Sequence, residues 1–144
     1  MIRLNKYISN AGVCSRREAD TLISTGKIKV NNVIQTELGI KINQNDVVTY
    51  NGRVLKTEKY RYILINKPKN CITTLKDTHN RKTVMHIIEG ACTERVYPVG
   101  RLDRDTTGLL LMTNDGELTK RLTHPSFGVK KKYVIQLENS IHPD

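Results

Sequence analysis

The sequence has 144 residues, of which 38% are hydrophobic, and it contains no tryptophan and one phenylalanine. This length suits one ordinary domain or two small ones, and the thin apolar content excludes a large core. The formal net charge is +10, from 24 Lys and Arg against 14 Asp and Glu. Lysine and arginine release counterions from a phosphate backbone, so this balance favours a nucleic-acid partner. No apolar run approaches the roughly 20 residues that span a bilayer, so no membrane association is expected.

The three cysteines, Cys14, Cys71 and Cys92, are odd in number and far apart. None lies in a Cys-x-x-Cys pair and the histidines lack ligand spacing, so neither a metal site nor a disulfide framework is predicted. The sequence also lacks a glycine-rich phosphate loop and a dinucleotide fingerprint, so we expect no small-molecule cofactor. The N-terminus carries no apolar signal region, and the cytoplasm is the expected location.

The first third of the chain predicts two helices. Apolar side chains recur at helical spacing over residues 3–11, and Gly12 is typical of the left-handed residue that ends a helix. Ser15 and Glu18 have the spacing of a capping box, which predicts the start of a second helix. This helix is expected to end at Gly26.

Small strands are predicted after these helices. Lys27–Val30 and Val33–Ile34 flank Asn31-Asn32, two residues that tolerate positive φ in a tight turn. Asp46–Tyr50 predicts a further strand, closed by the hairpin signal Asn51-Gly52.

A domain boundary is expected near residue 58. The charged stretch Arg53–Arg61 lacks clear periodicity and is interpreted as a linker. Residues 1–58 would then form a small α/β domain with its linker, and residues 59–144 a second domain. The irregular order of helices and strands favours an α+β fold with a mixed, mainly antiparallel sheet. The second region predicts strands at Tyr62–Asn66, Leu109–Met112 and Lys130–Leu137 and helices at Thr83–Glu89 and Glu117–Leu122.

Arg16 and Arg17 lie in the first turn of the second predicted helix. Cations are disfavoured there, because the helix macrodipole places partial positive charge at that end. Two guanidinium groups beside free N–H groups instead build an anion site suited to a phosphate. The alternative is a solvated basic face with arginine used as a helix former. We prefer the phosphate interpretation, since it explains the position as well as the charge.

The segment RLNKYISNAGVCSRREADTLISTGKIKVNN, from Arg3 to Asn32, resembles the S-four (S4) RNA-binding domain. Its S-R-R-E-A block and its G-K-I-x-V-N turn follow in the family's order. Asn32 stands where the family usually has glycine, a change that asparagine tolerates in a tight turn. The resemblance implies RNA contacts by Arg3, Lys6, Ser15, Arg16, Arg17, Lys27, Lys29 and Asn31.

Asp103 lies between Arg101 and Arg104 in a segment rich in turn-forming residues. Nearby cations hold a carboxylate ionised, which suits a nucleophile or an electrostatic stabiliser. Asp105 could equally act, and a charged turn without catalytic function is the other alternative. The residues alone leave these alternatives open.

The segment GRLDRDTTGLLLMTNDGEL, Gly100–Leu118, is similar to the signature of ribosomal-RNA pseudouridine synthases that carry an N-terminal S4 domain. The blocks YILINKP (Tyr62–Pro68), RVYPVGRLD (Arg95–Asp103) and LTHP…KKYVIQL (Leu122–Leu137) match in the same order. Asn70 replaces the glycine that usually lies two residues after the N-K-P block. The resemblance implies isomerisation of one uridine in ribosomal RNA, in the large subunit more than the small, without metal or cofactor.

The resemblance also assigns roles in the site. The family's nucleophile is the Asp of its R-L-D motif, which is Asp103 and not Asp105. Arg101 maps to the arginine of that motif and is a candidate for an RNA or active-site contact, and Arg104 is expected to contact RNA. Tyr133 maps to a tyrosine that stacks on the target base and helps to remove the proton from ring carbon 5. Its alternative is a core tyrosine in a strand.

Family members carry a later G-x-N-R-Q-I-R block, whose basic residue pairs with the catalytic Asp. The sequence contains no such block, so the resemblance implies an incomplete catalytic domain with an exposed sheet edge. Such an edge would allow pairing with another chain, including a second copy. The sequence is therefore compatible with two functions, a pseudouridine synthase and a non-catalytic RNA-binding module.

Overall fold

A computed structural model describes residues 1–138 of the chain. In this part the helices combine with three sheets, in which every pair of neighbouring strands is antiparallel. This arrangement confirms the predicted α+β class. The helices are α1 (Leu4–Asn10), α2 (Arg16–Ser24), α3 (Val84–Ile87) and α4 (Gly116–Thr123). The strands are β1 (Ile2–Arg3), β2 (Ile28–Val30), β3 (Val33–Gln35), β4 (Lys41–Ile42), β5 (Val48–Tyr50), β6 (Arg53–Val54), β7 (Tyr62–Lys67), β8 (Tyr97–Pro98) and β9 (Gly108–Thr113).

The N-terminal half packs α1 and α2 with a four-stranded sheet of order β3-β2-β5-β6 and the short pair β1-β4. The capping box at α2 is confirmed: the Ser15 hydroxyl accepts the Glu18 N–H at 3.3 Å, and the Glu18 carboxylate accepts the Ser15 N–H at 2.8 Å. Asn31 and Asn32 have φ of 50° and 68°, which confirms the predicted turn. The buried core of this half consists of Leu4, Ile8, Ala19, Ile23, Ile28, Ile42 and Val48.

The predicted linker Arg53–Arg61 is wrong at its start. Arg53 and Val54 form β6, which pairs with β5 across the Asn51-Gly52 turn. Two residues are too few to show the alternation by which a strand is recognised in sequence. The chain then stays attached to the N-terminal half, because the Glu58 N–H donates to the Asn10 carbonyl at 2.8 Å.

The C-terminal half is built on the three-stranded sheet β7-β9-β8. The two long strands pair from Tyr62 opposite Thr113 to Lys67 opposite Gly108. One face covers the second core, and the other leaves apolar side chains such as Leu64 and Leu109 exposed. The buried core of this half consists of Ile65, Cys71, Val84, Ile88, Val96, Leu110 and Met112.

The predicted strand Lys130–Leu137 is not formed, which corrects the sequence interpretation. Tyr133, Ile135 and Leu137 have the spacing of one face of a strand, yet they are 77%, 76% and 53% exposed. A strand also needs a neighbouring strand to take its backbone N–H and C=O groups, and within residues 1–138 none lies beside this segment. Alternating apolar residues are therefore not sufficient to form a strand in this segment.

Among the helices of the described part, none has the length and apolar character needed to cross a membrane.

Candidate active site and RNA-binding surface

Asp103 lies in the loop between β8 and β9, with its side chain exposed. Its carbonyl oxygen accepts the Thr106 N–H at 3.1 Å, which closes a turn around the aspartate. A cleft of about 360 Å³ adjoins Asp103 and contains Arg101, Arg104 and Thr73. The three residues predicted from this segment, Arg101, Asp103 and Arg104, thus line one small, polar cleft.

The residue before Asp103 is fixed by Thr73. The Thr73 hydroxyl donates to the Leu102 carbonyl at 2.7 Å and accepts the Leu102 N–H at 3.2 Å. Thr73 is only 8% exposed, so water competes little for these bonds. The Thr73 side chain therefore holds both backbone groups of Leu102. Because Asp103 is the next residue, these bonds also restrict its backbone position.

The residue after Asp103 is fixed by Lys67, whose side chain is completely buried. Its ammonium donates to the Pro68 carbonyl at 2.9 Å and to the Arg104 carbonyl at 3.0 Å. The Cys71 N–H donates to the same Arg104 carbonyl at 3.2 Å. Burying an ammonium is costly unless it is hydrogen-bonded, and these carbonyls provide the partners. No carboxylate in residues 1–138 forms an ion pair with Lys67.

A third anchor joins Arg104 to Asn70. The Arg104 Nε donates to the Asn70 side-chain oxygen at 2.7 Å, and a second guanidinium nitrogen donates to the same oxygen. Asn70 has a φ of 57°, the left-handed conformation that glycine adopts most easily. Asparagine tolerates this conformation, and here its side chain adds an acceptor for Arg104.

The other predicted active-site residues lie around this loop. Asp105 is exposed, and no side chain in residues 1–138 donates a hydrogen bond to its carboxylate or to that of Asp103. Arg101 is exposed between the Asp103 cleft and a second groove that contains Lys131. Tyr133 is 77% exposed and lies in neither cleft, so its assigned role stays a prediction.

The predicted RNA contacts of the N-terminal half lie mostly at its surface. Arg16 and Arg17 are exposed on the first turn of α2, where Ser15 acts as the N-cap. Asn31 holds the β2–β3 turn, because its side chain donates to Asp46 at 2.9 Å and accepts the Val47 N–H at 2.9 Å. The backbone N–H of Asn43 and the Asn31 amide lower the pKa of Asp46 by hydrogen bonding. The remaining predicted contacts, Arg3, Lys27 and Lys29, are exposed, and Lys6 is half-buried.

Sequence reasoning missed the anchoring residues Lys67 and Thr73. A signal for Lys67 was present in β7, because alternate residues of a strand share one face. Ile63 and Ile65 point to the second core, so Lys67 belongs to the same inward face. No local signal identifies Thr73, since its partner Leu102 is 29 residues away along the chain.

Comparison with protein families matches both halves of the chain. Residues 2–48 match the S4 domain, and residues 61–144 match the family described as RNA pseudouridylate synthase. An S4 domain followed by a pseudouridylate synthase region is the organisation that the sequence predicted. Because the second match covers more than half of the sequence, the chain belongs to the RNA pseudouridylate synthase family. The exact domain boundary near residue 58 stays a prediction.

Curated relatives agree with this assignment. "Ribosomal large subunit pseudouridine synthase B" of Bacillus subtilis is 44% identical over 138 residues, which cover 96% of this chain and 56% of the relative. An "Uncharacterized RNA pseudouridine synthase" of Aquifex aeolicus is 44% identical over 142 residues, which cover 97% and 57%. The chain thus spans about half the length of the curated relatives it matches. A solved "Crystal structure of pseudouridylate synthase" is 29% identical, covers 88% of this chain and 54% of that one, and has a TM-score of 0.46.

Proposed function

We propose that this protein isomerises one specific uridine of ribosomal RNA to pseudouridine, with Asp103 as the nucleophile. The observation that carries the proposal is an exposed Asp103 carboxylate on a loop whose neighbouring residues are anchored on both sides. The name of the Bacillus subtilis relative favours a large-subunit RNA over a small-subunit RNA. Since ribosomal RNA is the substrate, the cytoplasm is the proposed location.

The anchored loop suits the chemistry of this reaction. The bond between ring nitrogen 1 and ribose carbon 1′ breaks, and a bond between ring carbon 5 and carbon 1′ forms. Carbon 5 loses a proton and nitrogen 1 gains one, so the balance needs no oxidant, metal or nucleotide. A carboxylate that acts on the sugar must hold its place while the base turns over. The bonds to Leu102 and Arg104 limit movement of the backbone that carries Asp103.

Three further residues take roles in this proposal. Arg101 adjoins the Asp103 cleft and would act on the reacting nucleotide or its phosphate. Arg104 keeps donors beyond its Asn70 contact and would bind the RNA backbone. Tyr133 would stack on the target base and assist removal of the carbon 5 proton, which requires its exposed segment to approach the cleft.

RNA binding would come largely from the S4 half. A uridine within a helix must be unstacked and flipped out, which costs a few kcal/mol that protein–RNA contacts have to offset. Exposed cations at α2 and on β2 offer phosphate contacts that depend on salt concentration. The proposed contacts are Arg3, Lys6, Ser15, Arg16, Arg17, Lys27, Lys29 and Asn31.

The second function is a non-catalytic RNA-binding module. It is favoured by the segment around Tyr133, which is exposed and forms no strand. A tyrosine in that state does not sit over a base at Asp103. In this alternative the S4 half binds RNA and the 144-residue chain does not carry out the reaction.

Release of tritium from ribosomal RNA labelled at uracil carbon 5 separates the two functions. We expect release by the wild-type chain and none by Asp103→Ala, because the nucleophile is lost. Asp105→Ala is the matched control, since it removes an exposed carboxylate from the same loop, and it should retain release. A wild-type chain that binds the RNA without any release would favour the non-catalytic module.

A further inference from the structure

A cleft of about 600 Å³ lies between the two halves of the chain, away from Asp103. One wall comes from α1 and the start of α2, and the other from α4 and the segment before β8. We call it the interdomain cleft. Its charged residues come from both walls: Lys6 and Arg16 from the first, and Arg95, Glu117 and Lys120 from the second.

The interdomain cleft is strongly basic. It holds four cations and one carboxylate, which is a net charge of +3. Neither Arg16 nor Arg95 forms an ion pair with another residue in the described part of the chain. Like charges facing each other across a gap repel, so an anion bound between them would stabilise the arrangement.

Arg95 lines the interdomain cleft from the C-terminal half. Burial raises the pKa of the Cys14 thiol, and the Arg95 guanidinium opposes that rise. Burial also raises the pKa of Tyr97, and Arg95 opposes this rise too. The charge of Arg95 thus acts on a residue of each half, Cys14 and Tyr97.

The single carboxylate of the interdomain cleft, Glu117, already holds one of the cations. The Lys6 ammonium donates a hydrogen bond to it across the two halves. Lys6 contributes most to lowering the pKa of Glu117, and the charge of Lys120 adds to the effect. The Glu117 side chain is 63% exposed, and ion pairs of this kind contribute little stability. Another anion can therefore replace Glu117 at small cost.

We propose that the interdomain cleft binds a phosphate of the RNA backbone, and that this phosphate displaces Glu117 from Lys6. The inference rests on the proposed function, which supplies RNA as the polyanion. Lys6 and Arg16 belong both to this cleft and to the proposed S4 contact surface. An RNA strand that crosses the cleft would thus contact Arg95 and Lys120 next, and would bridge the S4 half and the half that carries Asp103.

A matched pair on α4 tests the phosphate contact. Lys120 lines the interdomain cleft, whereas Arg121 on the same helix is exposed outside it. We expect Lys120→Gln to weaken binding of a fluorescein-labelled RNA hairpin about two- to fivefold, the effect of one exposed charge contact. The slope of the logarithm of the binding constant against the logarithm of the salt concentration should also become shallower by about 0.7–0.9, because one phosphate contact is lost. Arg121→Gln should change both quantities less.

A second pair tests the displacement of Glu117. Glu117→Gln should strengthen RNA binding, because the negative charge that competes with a phosphate for Lys6 is removed. Glu89→Gln removes an exposed carboxylate elsewhere in the same half and serves as the control. In a Lys6→Gln background the gain from Glu117→Gln should shrink, since the two residues act on each other.

The outcomes separate this inference from the proposed function. A wild-type chain that does not bind the hairpin contradicts both. If the wild type binds and Lys120→Gln behaves like Arg121→Gln, the interdomain cleft is not a phosphate site, while RNA binding by the S4 half stands. If Glu117→Gln weakens binding, or acts equally in both Lys6 backgrounds, displacement is wrong. Thermal unfolding of each exposed-site variant checks that the fold is retained.

Discussion

The buried ammonium of Lys67 donates a hydrogen bond to the carbonyl oxygen of Arg104 at 3.0 Å, one residue beyond Asp103. The two residues lie 37 positions apart in sequence, and the pairing of β7 with β9 brings their segments together. The lysine end of β7 is opposite Gly108, just after the Asp103 loop. A charged side chain in the core thus serves to position the proposed nucleophile.

We expect Lys67→Met to loosen the Asp103 loop. The substitution keeps the side-chain volume but leaves the Pro68 carbonyl without this donor and the Arg104 carbonyl with Cys71 alone. A hydrogen bond that involves a charged group contributes about 1.5–3 kcal/mol, so the free energy of unfolding should fall by about that amount in urea denaturation. Hydrogen exchange at the Thr106 amide should also accelerate. Lys69→Met, at an exposed lysine, is the control, and equal behaviour of the two variants would contradict the anchoring role.

Thr73→Val should destabilise the same loop from its other side. Valine has nearly the shape of threonine but lacks the hydroxyl that bonds both backbone groups of Leu102. We expect a loss of about 1–3 kcal/mol in the free energy of unfolding, because these groups are left without that partner. Thr78→Val removes an exposed hydroxyl from a nearby loop and should cost much less. Tritium release should fall in the first variant only.

The α2 capping box predicts a dependence of stability on pH. Hydrogen bonds from the backbone N–H and the side chain of Ser15, followed by the contact with Lys76, lower the pKa of Glu18 from 4.5 to about 2. Because the pKa of Glu18 is lowered in the folded state, the ionised carboxylate stabilises the fold fully above pH 4.5. This stabilisation is lost as the pH falls toward 2.

The test compares melting temperatures of the wild type and Glu18→Gln across that range. The advantage of the wild type should shrink as the pH falls, because protonated Glu18 loses the charge that these contacts favour. Glu37→Gln changes an exposed glutamate outside any helix cap and should show no such trend. A constant difference between the wild type and Glu18→Gln would contradict the assigned cause.

The proposed RNA contacts of the S4 half can be tested through the salt dependence of RNA binding. We expect Arg16→Ala with Arg17→Ala to weaken binding and to reduce the log–log slope, because phosphate contacts at the start of α2 are lost. The charge-matched control is Lys56→Ala with Lys59→Ala, which removes two exposed lysines outside this surface. An unchanged slope in the arginine variant would place the phosphate contacts elsewhere.

Local signals predicted much of the N-terminal half. The capping box joins Ser15 and Glu18, and the Asn31-Asn32 turn joins adjacent strands, so each is formed by residues close in sequence. Where the signal was not local, the sequence missed one strand and predicted another that does not form. Arg53–Val54 forms a strand because β5 offers an edge, and Lys130–Leu137 forms none because the described residues provide no partner.

The sequence by itself determined the family and singled out Asp103, although the choice over Asp105 required the resemblance of its R-L-D motif. It also determined the basic charge that favours RNA. Only the tertiary structure identified Lys67, Thr73 and Asn70 as anchors of the Asp103 loop. Their bonds join segments 29 to 37 residues apart, so they exist only once β7 and β9 have paired. Chemistry that depends on residue type is visible in the sequence, whereas the positioning of that chemistry depends on long-range contacts.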